Sequence, residues 1–260
     1  MNPFDLSGRV AIVTGGNGGI GLGMARGLAN AGAAVIVAGR NTEKNAAAVA
    51  ELEALGAKAT AAEVDVTDET SCRAMIAFAV KLFGRLDVLI NNAGTNIRKQ
   101  PTEYSLAEWN EVITTNLTSA FVCSQAAYPE MKSAGGGKII NIGSMMSIFG
   151  ASFAVPYAAS KGGIVQMTKG LATAWAKDNI QVNAVLPGWI DTDLTRKARE
   201  QVKGLHERVL ERTPAGRWGM TNDFAGIAVF LSSPASDFVT GTAIPVDGGY
   251  SVQGESYGYE

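Results

Sequence analysis

Short apolar runs alternate with stretches of helical periodicity along almost the whole chain, and this rhythm restricts the fold more than any other feature. The runs cover residues 9–14, 33–38, 58–64, 86–90, 138–142, 180–186 and 243–247. Nearly continuous apolar runs of this length are typical of strands buried on both faces, as in a parallel sheet. Between them, apolar residues recur at helical spacing in 20–31, 43–55, 69–83, 106–132, 157–178 and 222–232. The alternation predicts an α/β, doubly wound fold, with a seven-stranded parallel sheet and helices on both faces.

The chain shows no internal division. No linker, low-complexity tract or repeat interrupts it, so we expect residues 1–260 to form a single domain. One segment breaks the rhythm, because residues 191–217 are rich in Arg, Lys and Glu. Long polar insertions after strand ends are often active-site lids. We interpret 191–217 as a substrate lid, with a solvated surface helix as the alternative.

Charge and hydropathy exclude two classes of partner. The formal net charge of −2 gives no electrostatic basis for binding nucleic acid or an anionic membrane. No apolar run reaches the roughly 18 residues of a membrane-spanning helix. The N-terminal sequence also lacks the charged and apolar regions of a signal peptide. We therefore expect no nucleic-acid partner, no membrane partner and a cytoplasmic location.

The cysteines and the histidine argue against a metal centre. Cys72, Cys123 and His206 are the only residues of these two types. Their separation matches no zinc or redox motif, so we expect no metal site and two cysteines that pack in the interior.

A glycine tract follows the first predicted strand and opens the first predicted helix. It reads Thr-Gly-Gly-Asn-Gly-Gly-Ile-Gly over residues 14–21. Glycines in such a turn let the backbone approach a pyrophosphate, which the helix N-terminus then attracts. The position predicts the dinucleotide-binding turn of a Rossmann fold. A tight turn without a ligand is the alternative.

The end of the second predicted strand indicates which nucleotide binds. An acidic residue about 20 positions beyond the glycines would bind the 2′-hydroxyl of NAD. This chain has Gly39-Arg40-Asn41 there, without a carboxylate. Arg40 offers a bidentate contact to a 2′-phosphate, so we favour NADP(H) over NAD(H). Alternatively, Arg40 is an ordinary solvated side chain and cofactor choice is loose.

Tyr157 and Lys161 lie four residues apart in a predicted helix, thirteen or more residues after Ser144. This spacing puts the phenol and the ammonium on one helix face. We expect the ammonium to lower the pKa of the Tyr157 phenol, which suits it to general acid–base work. Ser144 would then hold a substrate oxygen. Without the other motifs, a Tyr–Lys pair at this spacing is usually part of a solvent-exposed helix face.

Together these motifs resemble the short-chain dehydrogenase/reductase family over nearly the whole chain. The resemblance implies a catalytic tetrad of Asn116, Ser144, Tyr157 and Lys161. It also implies cofactor contacts from Gly15, Asn17, Gly19, Ile20, Gly21, Arg40, Asn41, Asp65, Val66, Asn92, Ala93, Gly94, Tyr157, Lys161, Pro187, Gly188, Ile190 and Thr192.

The resemblance carries roles and an assembly with it. It implies that Tyr157 exchanges a proton with the substrate oxygen and that Lys161 lowers the Tyr157 pKa and holds the nicotinamide ribose. Ser144 would orient the substrate, and Asn116 would anchor a water next to Lys161. Members of the family are usually homotetramers, which makes 106–132 and 157–178 the expected contact helices.

Within that family the sequence is most similar to dehydrogenases of gluconate and related sugar acids. Residues 96–99, 140–145, 155–163 and 212–219 carry this similarity. Arg98 and Lys99 follow a cofactor loop, where a carboxylate substrate would need a cation; a solvent-facing basic turn is the alternative. The expected substrate contacts are Ser144, Tyr157, Arg98, Met145 and Trp189.

Two other functions stay open at this point. A pocket lined by Met145, Met146, Phe149, Phe153 and Trp189 would favour a reductase of 3-oxoacyl thioesters or other hydrophobic ketones. A nucleotide-binding regulator without turnover is the more remote alternative, because such a protein is expected to have lost part of the tetrad.

Overall fold

The strands of this protein form one parallel sheet. The computed structural model describes residues 2–254. The strand bounds are β1 Val10–Thr14, β2 Ala34–Gly39, β3 Ala59–Glu63, β4 Val88–Asn91, β5 Gly137–Ile142, β6 Ile180–Pro187 and β7 Ala243–Val246. They pair in the order β3-β2-β1-β4-β5-β6-β7, and every pair is parallel. This confirms the predicted α/β, doubly wound fold with its seven-stranded parallel sheet.

Helices cover both faces of the sheet. Their bounds are α1 Gly19–Asn30, α2 Thr42–Ala54, α3 Glu69–Phe83, α4 Leu106–Ile113, α5 Ser119–Ser133, α6 Val155–Trp175, α7 Asp193–Gln201, α8 Leu205–Arg212 and α9 Ala225–Ser232. One core packs α1, α2 and α9 against the sheet, and a second packs α3, α5 and α6 against the opposite face.

Alternation along each strand supplies both cores. In β2, Val35 and Val37 point to one core while Ile36 points to the other. Each is fully buried, which stabilises the fold by roughly 1.5–3 kcal/mol per side chain. The apolar run of a parallel strand is therefore continuous because both of its faces need apolar residues.

Two predicted helices differ from those observed. The predicted helix 106–132 is divided by a π-helical turn at Thr114–Thr118, which periodicity alone does not reveal. The predicted helix 157–178 begins earlier, at Val155, because Pro156 fits the first turn of a helix. It ends at Trp175, and the chain then reverses at Asn179, whose φ of 57° is left-handed.

The strand order places a crevice at the carboxyl ends of β1 and β4. The chain moves from β1 outward to β3 on one side, then returns to β4 on the other side of β1. In open α/β sheets, ligands bind where the order reverses in this way.

The segment 191–217 contains two helices, α7 and α8. In the described part of the chain, no helix combines the length and apolarity needed to span a bilayer.

Candidate active site

The turn between β1 and α1 needs glycine at several of its positions. Gly15 has a φ of +62° and Gly19 a φ of +52°, both in the left-handed region that favours glycine. A Cβ on Gly21 would clash with the Asn92 side chain and the Gly15 carbonyl oxygen. The backbone is thus exposed along the turn, as binding of a pyrophosphate requires.

Residues at the end of β4 hold this turn in place. The Asn92 side-chain nitrogen donates to the carbonyl oxygens of Thr14, at 3.0 Å, and Gly15, at 3.1 Å. The Thr14 hydroxyl oxygen in return accepts from the backbone N–H groups of Asn92, at 3.0 Å, and Ala93, at 3.1 Å. The Asn92 amide is therefore committed to the turn, which limits the predicted role of this residue in contacting a ribose.

Two adjoining cavities open beside the turn. The first, of about 460 Å³, is lined by predicted cofactor residues Gly15, Asn17, Gly19, Ile20, Asn92, Ala93, Gly94, Tyr157, Lys161, Pro187, Gly188, Ile190 and Thr192. The second, of about 510 Å³, is lined by Arg40, Asn41, Asp65 and Val66. Both cavities share Gly15, Asn17, Ala93 and Gly94 as walls. A dinucleotide fits this arrangement, because a side-chain-free turn at a helix N-terminus joins two compartments.

The second cavity has a cation at its rim that the sequence reasoning missed. Lys44 lines both cavities and belongs to the first turn of α2, which Asn41 caps by accepting from the Lys44 N–H at 2.8 Å. Hydrogen bonds from Thr67 hold the pKa of the Asp65 carboxyl below its usual value, with a smaller contribution from the charge of Arg40. The position of Lys44 one turn after Arg40 is the signal that could have found it.

Tyr157 and Lys161 lie on the first turns of α6 and line the first cavity. The Lys161 Nζ is 5.6 Å from the centroid of the Tyr157 ring. It donates a hydrogen bond to the Ile142 carbonyl oxygen at the end of β5, at 2.7 Å. Burial lowers the pKa of Lys161 to about 8.

The pKa of Tyr157 departs from the prediction. Desolvation raises it above its usual value, while the Ser144 hydroxyl and the charge of Arg98 act to lower it. Lys161 is not among the groups that lower it; its ammonium donates to the Ile142 carbonyl oxygen and lies 5.6 Å from the ring centroid. The expected lowering of the Tyr157 pKa by Lys161 is therefore not found among its causes.

Asn116 occupies the π-helical turn between α4 and α5, and its side chain is fully bonded. Its Oδ1 accepts from the Thr95 N–H at 2.8 Å, and its Nδ2 donates to the Thr95 carbonyl at 2.9 Å and to the Ser160 hydroxyl at 3.0 Å. The Ser160 hydroxyl donates in turn to the Tyr157 carbonyl oxygen, at 2.7 Å. Asn116 is thus linked to the backbone of the Tyr157 turn through Ser160, and it also bonds the backbone of Thr95. The sequence predicted neither contact.

Ser144 follows β5 and begins a short 3₁₀ turn. Its hydroxyl accepts from the Met146 N–H at 3.2 Å, and it lines the first cavity with Tyr157. Ser147 ties this turn to α6 by donating to the Lys161 carbonyl oxygen at 2.7 Å. A hydroxyl, a phenol and an ammonium therefore converge on one cavity, an arrangement that can move a proton at a substrate oxygen.

Known proteins are similar to this chain over nearly its whole length. Residues 15–251 match a family model described as enoyl-(acyl carrier protein) reductase. Gluconate 5-dehydrogenase of Gluconobacter oxydans is 42% identical over 96% of this chain and 97% of its own. This chain belongs to the short-chain dehydrogenase/reductase family. It is an NAD(P)-dependent oxidoreductase that acts on CH–OH groups.

Other members of the short-chain dehydrogenase/reductase family are similarly close. A 2-dehydro-3-deoxy-D-gluconate 5-dehydrogenase of Formosa agariphila is 42% identical over 95% of this chain and 94% of its own. A crystal structure of a gluconate 5-dehydrogenase from Burkholderia cenocepacia, in complex with NADP and tartrate, has a TM-score of 0.92 at 40% identity. The alignment covers 97% of this chain and 98% of that chain.

Two of the predicted substrate contacts lie away from the catalytic cavity of this short-chain dehydrogenase/reductase. Met145 is buried in a small core with Ala184 and Leu186, so its side chain packs the fold. Trp189 lines a separate cavity of about 200 Å³, together with Ala215 and Arg217. Neither is among the residues that line the cavity of Tyr157 and Ser144, which corrects the predicted apolar wall.

Arg98 and Lys99 have different partners. Lys99 forms an ion pair with Glu108, so the positive charge of Lys99 is already neutralised by a carboxylate. Arg98 forms no salt bridge within residues 2–254, and its positive charge acts on the pKa of Tyr157. Arg98 is therefore the cation of the pair that remains available on the substrate side.

The segment 191–217 packs on Trp218. The guanidinium of Arg199 in α7 lies 4.2 Å from the Trp218 ring centroid, and the His206 ring of α8 stacks on the same indole at 6.2 Å. The ring of Trp189 meets it edge-on at 5.6 Å. One buried indole thus joins both helices of 191–217 to the loop that follows β6.

Proposed function

We propose that this protein interconverts a secondary alcohol and a ketone on a sugar acid, with NADP(H) preferred over NAD(H). The observation that carries the substrate class is Arg98, which is half-buried, has no salt bridge among the described residues and acts electrostatically on Tyr157. A substrate carboxylate would satisfy this cation. The relatives that act on gluconate or its keto derivatives support the same class.

The tetrad residues divide the proton chemistry between them. Tyr157 gives a proton to the carbonyl oxygen in reduction and takes it from the alcohol in oxidation. Ser144 holds that oxygen, and Asn116 keeps the Tyr157 turn in position through Ser160. The bound nicotinamide supplies or accepts the hydride at carbon. When the cofactor ribose is present, Lys161 binds it and stabilises the phenolate of Tyr157.

Cofactor preference rests on two cations. Arg40 and Lys44 both line the second cavity, at the end of β2 and in the first turn of α2. A 2′-phosphate placed there would gain two cationic partners. The NADP bound to the Burkholderia relative supports this preference.

A second candidate is a reductase of 3-oxoacyl thioesters or other hydrophobic ketones. The loop after Ser144 exposes Ile148 and Phe153, which would offer apolar surface to an acyl chain. The burial of Met145 removes part of the apolar wall that this reading needs.

Several broader features belong to the same proposal. We propose one catalytic domain over residues 1–260, with 191–217 as its substrate lid. We also propose a homotetramer, since Leu106 of α4 and Phe121 of α5 expose apolar surface on the expected contact helices. A cytoplasmic location stays a prediction.

A substrate panel tests the proposal. Purified protein is assayed with NADPH and NADH against keto sugar acids, matched neutral keto sugars and 3-oxoacyl thioesters. We expect the highest kcat/KM with a keto sugar acid and NADPH. A higher kcat/KM for the neutral sugar than for its acid would exclude the role of a substrate carboxylate. A higher value for the thioester would favour the second candidate.

A further inference from the structure

A second charged cavity lies at the opposite end of the sheet from the active site. It has a volume of about 490 Å³ and is lined where β1, β4, β5 and β6 begin. Ligand sites commonly occupy about 300–1,000 Å³. Arg9, Arg85 and Lys138 contribute three positive charges to its wall, and Asp87 and Asp237 contribute two negative charges. The wall therefore carries one positive charge in excess.

The carboxylate of Asp87 is already saturated. It accepts from Arg9 Nη1 at 2.8 Å, from Arg85 Nε at 2.8 Å and Nη2 at 2.6 Å, and from the Val10 N–H at 2.9 Å. A carboxylate has about four acceptor positions, while each guanidinium has five N–H donors. Both arginines thus retain donors that Asp87 does not use.

Lys138 brings a third cation into this surface. Its side chain is only 10% exposed, and its Nζ lies 2.8 Å from the Asp237 carboxylate, which is 63% exposed. Burial lowers the pKa of Lys138, Asp237 acts to raise it, and the neighbouring positive charge of Arg9 lowers it further. Arg9 and Lys138 are therefore close enough to repel each other, and an anion between them would relieve this repulsion.

Ser232 gives an independent indication of a ligand. It ends α9, lines the same cavity and is 4% exposed. Its hydroxyl has no hydrogen-bond partner among residues 2–254. Buried hydroxyls are normally hydrogen-bonded, because leaving them without a partner costs free energy. Ser232 thus adds to the wall of this cavity a buried hydroxyl without a partner among the described residues, and Arg9, Arg85 and Lys138 add the charged donors that oxyanions prefer.

We propose that this cavity binds a phosphate-type oxyanion, either free inorganic phosphate or the phosphate group of a small metabolite. Arg9, Arg85 and Lys138 supply the charge, and Ser232 supplies the buried hydroxyl. The site is separate from the cofactor cavities, which lie at the carboxyl ends of the strands. A ligand there would share no lining residue with the cofactor.

Calorimetric titration of the NADPH-saturated protein tests the site, since saturation prevents phosphate from entering the cofactor cavities. Inorganic phosphate, glycerol 3-phosphate and acetate are titrated at ionic strength matched with sodium chloride. We expect saturable binding of a phosphate and none of acetate. Tighter binding of glycerol 3-phosphate assigns the site to a metabolite, and tighter binding of inorganic phosphate assigns it to the free ion. No binding of either, or equal binding of acetate, overturns the proposal.

Variants locate the binding. Lys138→Met should weaken phosphate binding by about tenfold, since a charge-assisted contact is lost; it also removes the partner of the exposed Asp237 and a 3.4 Å hydrogen bond to the Ser236 hydroxyl. Ser232→Ala removes a hydroxyl that has no partner among the described residues. This second variant is expected to fold even if Lys138→Met does not. Lys132→Met is the matched control, because Lys132 pairs with Asp178 outside the cavity. Unchanged binding in Ser232→Ala and Lys138→Met, or equal loss in Lys132→Met, overturns the assignment.

Discussion

The side-chain nitrogen of Asn92 lies 3.1 Å from the carbonyl oxygen of Gly15 and donates a hydrogen bond to it. This contact joins the end of β4 to the glycine turn after β1, across 77 residues of sequence. It occupies the space into which a side chain at position 21 would point. Asn92, which lies outside the glycine motif, therefore fixes the position of the turn.

Gly21→Ala is expected to disturb this contact. The added Cβ would press on Asn92 and on the Gly15 carbonyl, so the free energy of unfolding should fall by about 2 kcal/mol, as in other overpacked sites. NADPH binding should weaken at the same time. Urea unfolding of the cofactor-free protein measures the first effect. Gly18→Ala is the control, since a Cβ there meets nothing within 4 Å; equal stability of the two variants would contradict the steric argument.

Tyr157→Phe should remove proton transfer while preserving the cavity wall. We expect kcat to fall by about 10²–10⁴-fold, the range for loss of a general acid or base. The dissociation constant of NADPH, measured by fluorescence titration, should stay within about twofold. Tyr128→Phe serves as control, because the Tyr128 hydroxyl bonds Asp178 at a distance from the site. Turnover near that of the wild type would refute the assigned role.

Arg40→Asp should reverse the nucleotide preference. The new carboxylate would repel a 2′-phosphate and accept from a 2′-hydroxyl, so the kcat/KM ratio of NADPH to NADH should fall by about tenfold or more. Lys44→Met should lower the same ratio less, without improving NADH. Lys58→Asp makes the same charge change before β3, at the other end of the strands, and should leave the ratio unchanged. An equal loss with both cofactors would show that Arg40 does not select the phosphate.

Arg98→Ala should separate acidic from neutral substrates. Loss of the guanidinium is expected to raise KM for a keto sugar acid by about tenfold and to change KM for the matched neutral sugar little. Lys99→Ala is the matched control, since Glu108 already pairs with Lys99. The idea of a carboxylate contact fails if both substrates lose affinity equally.

Lys161 should make stability depend on pH. Its pKa is about 8 in the folded protein and about 10.4 in an unfolded chain, so between these values the unfolded state binds more protons. The penalty for burying the charge is fully present below pH 8 and is relieved as pH rises. From about pH 7.5 to 9.5 the wild type should gain about 2 kcal/mol relative to Lys161→Met. Tyr157 stays protonated in this window, because burial raises its pKa.

Urea unfolding of the wild type and of Lys161→Met at several pH values in this range measures the difference between their free energies of unfolding. A constant difference would mean that Lys161 titrates at its usual value in the cofactor-free protein.

Much of the fold follows from local sequence. The runs that became β1 and β2 are almost entirely apolar because both faces of each strand are buried, which is typical of a parallel sheet. The glycine tract could be placed at the turn between β1 and α1 for the same local reason, since Gly15 and Gly19 need positive φ. The π-helical turn at Asn116 had no such signal, because helical periodicity continues on both sides of it.

The sequence by itself determined how strands and helices alternate along the chain, where the glycine turn lies, and that Tyr157 and Lys161 share one helix. These depend on residues a few positions apart, whose geometry the backbone sets. Only the tertiary structure decided that Met145 packs inward, that Lys44 borders both cofactor cavities and that Ser232 joins Arg9, Arg85 and Lys138 in one cavity. Each of these depends on contacts between elements far apart in sequence. Such contacts decide which way a side chain points and how much free energy it costs to bury a charged group.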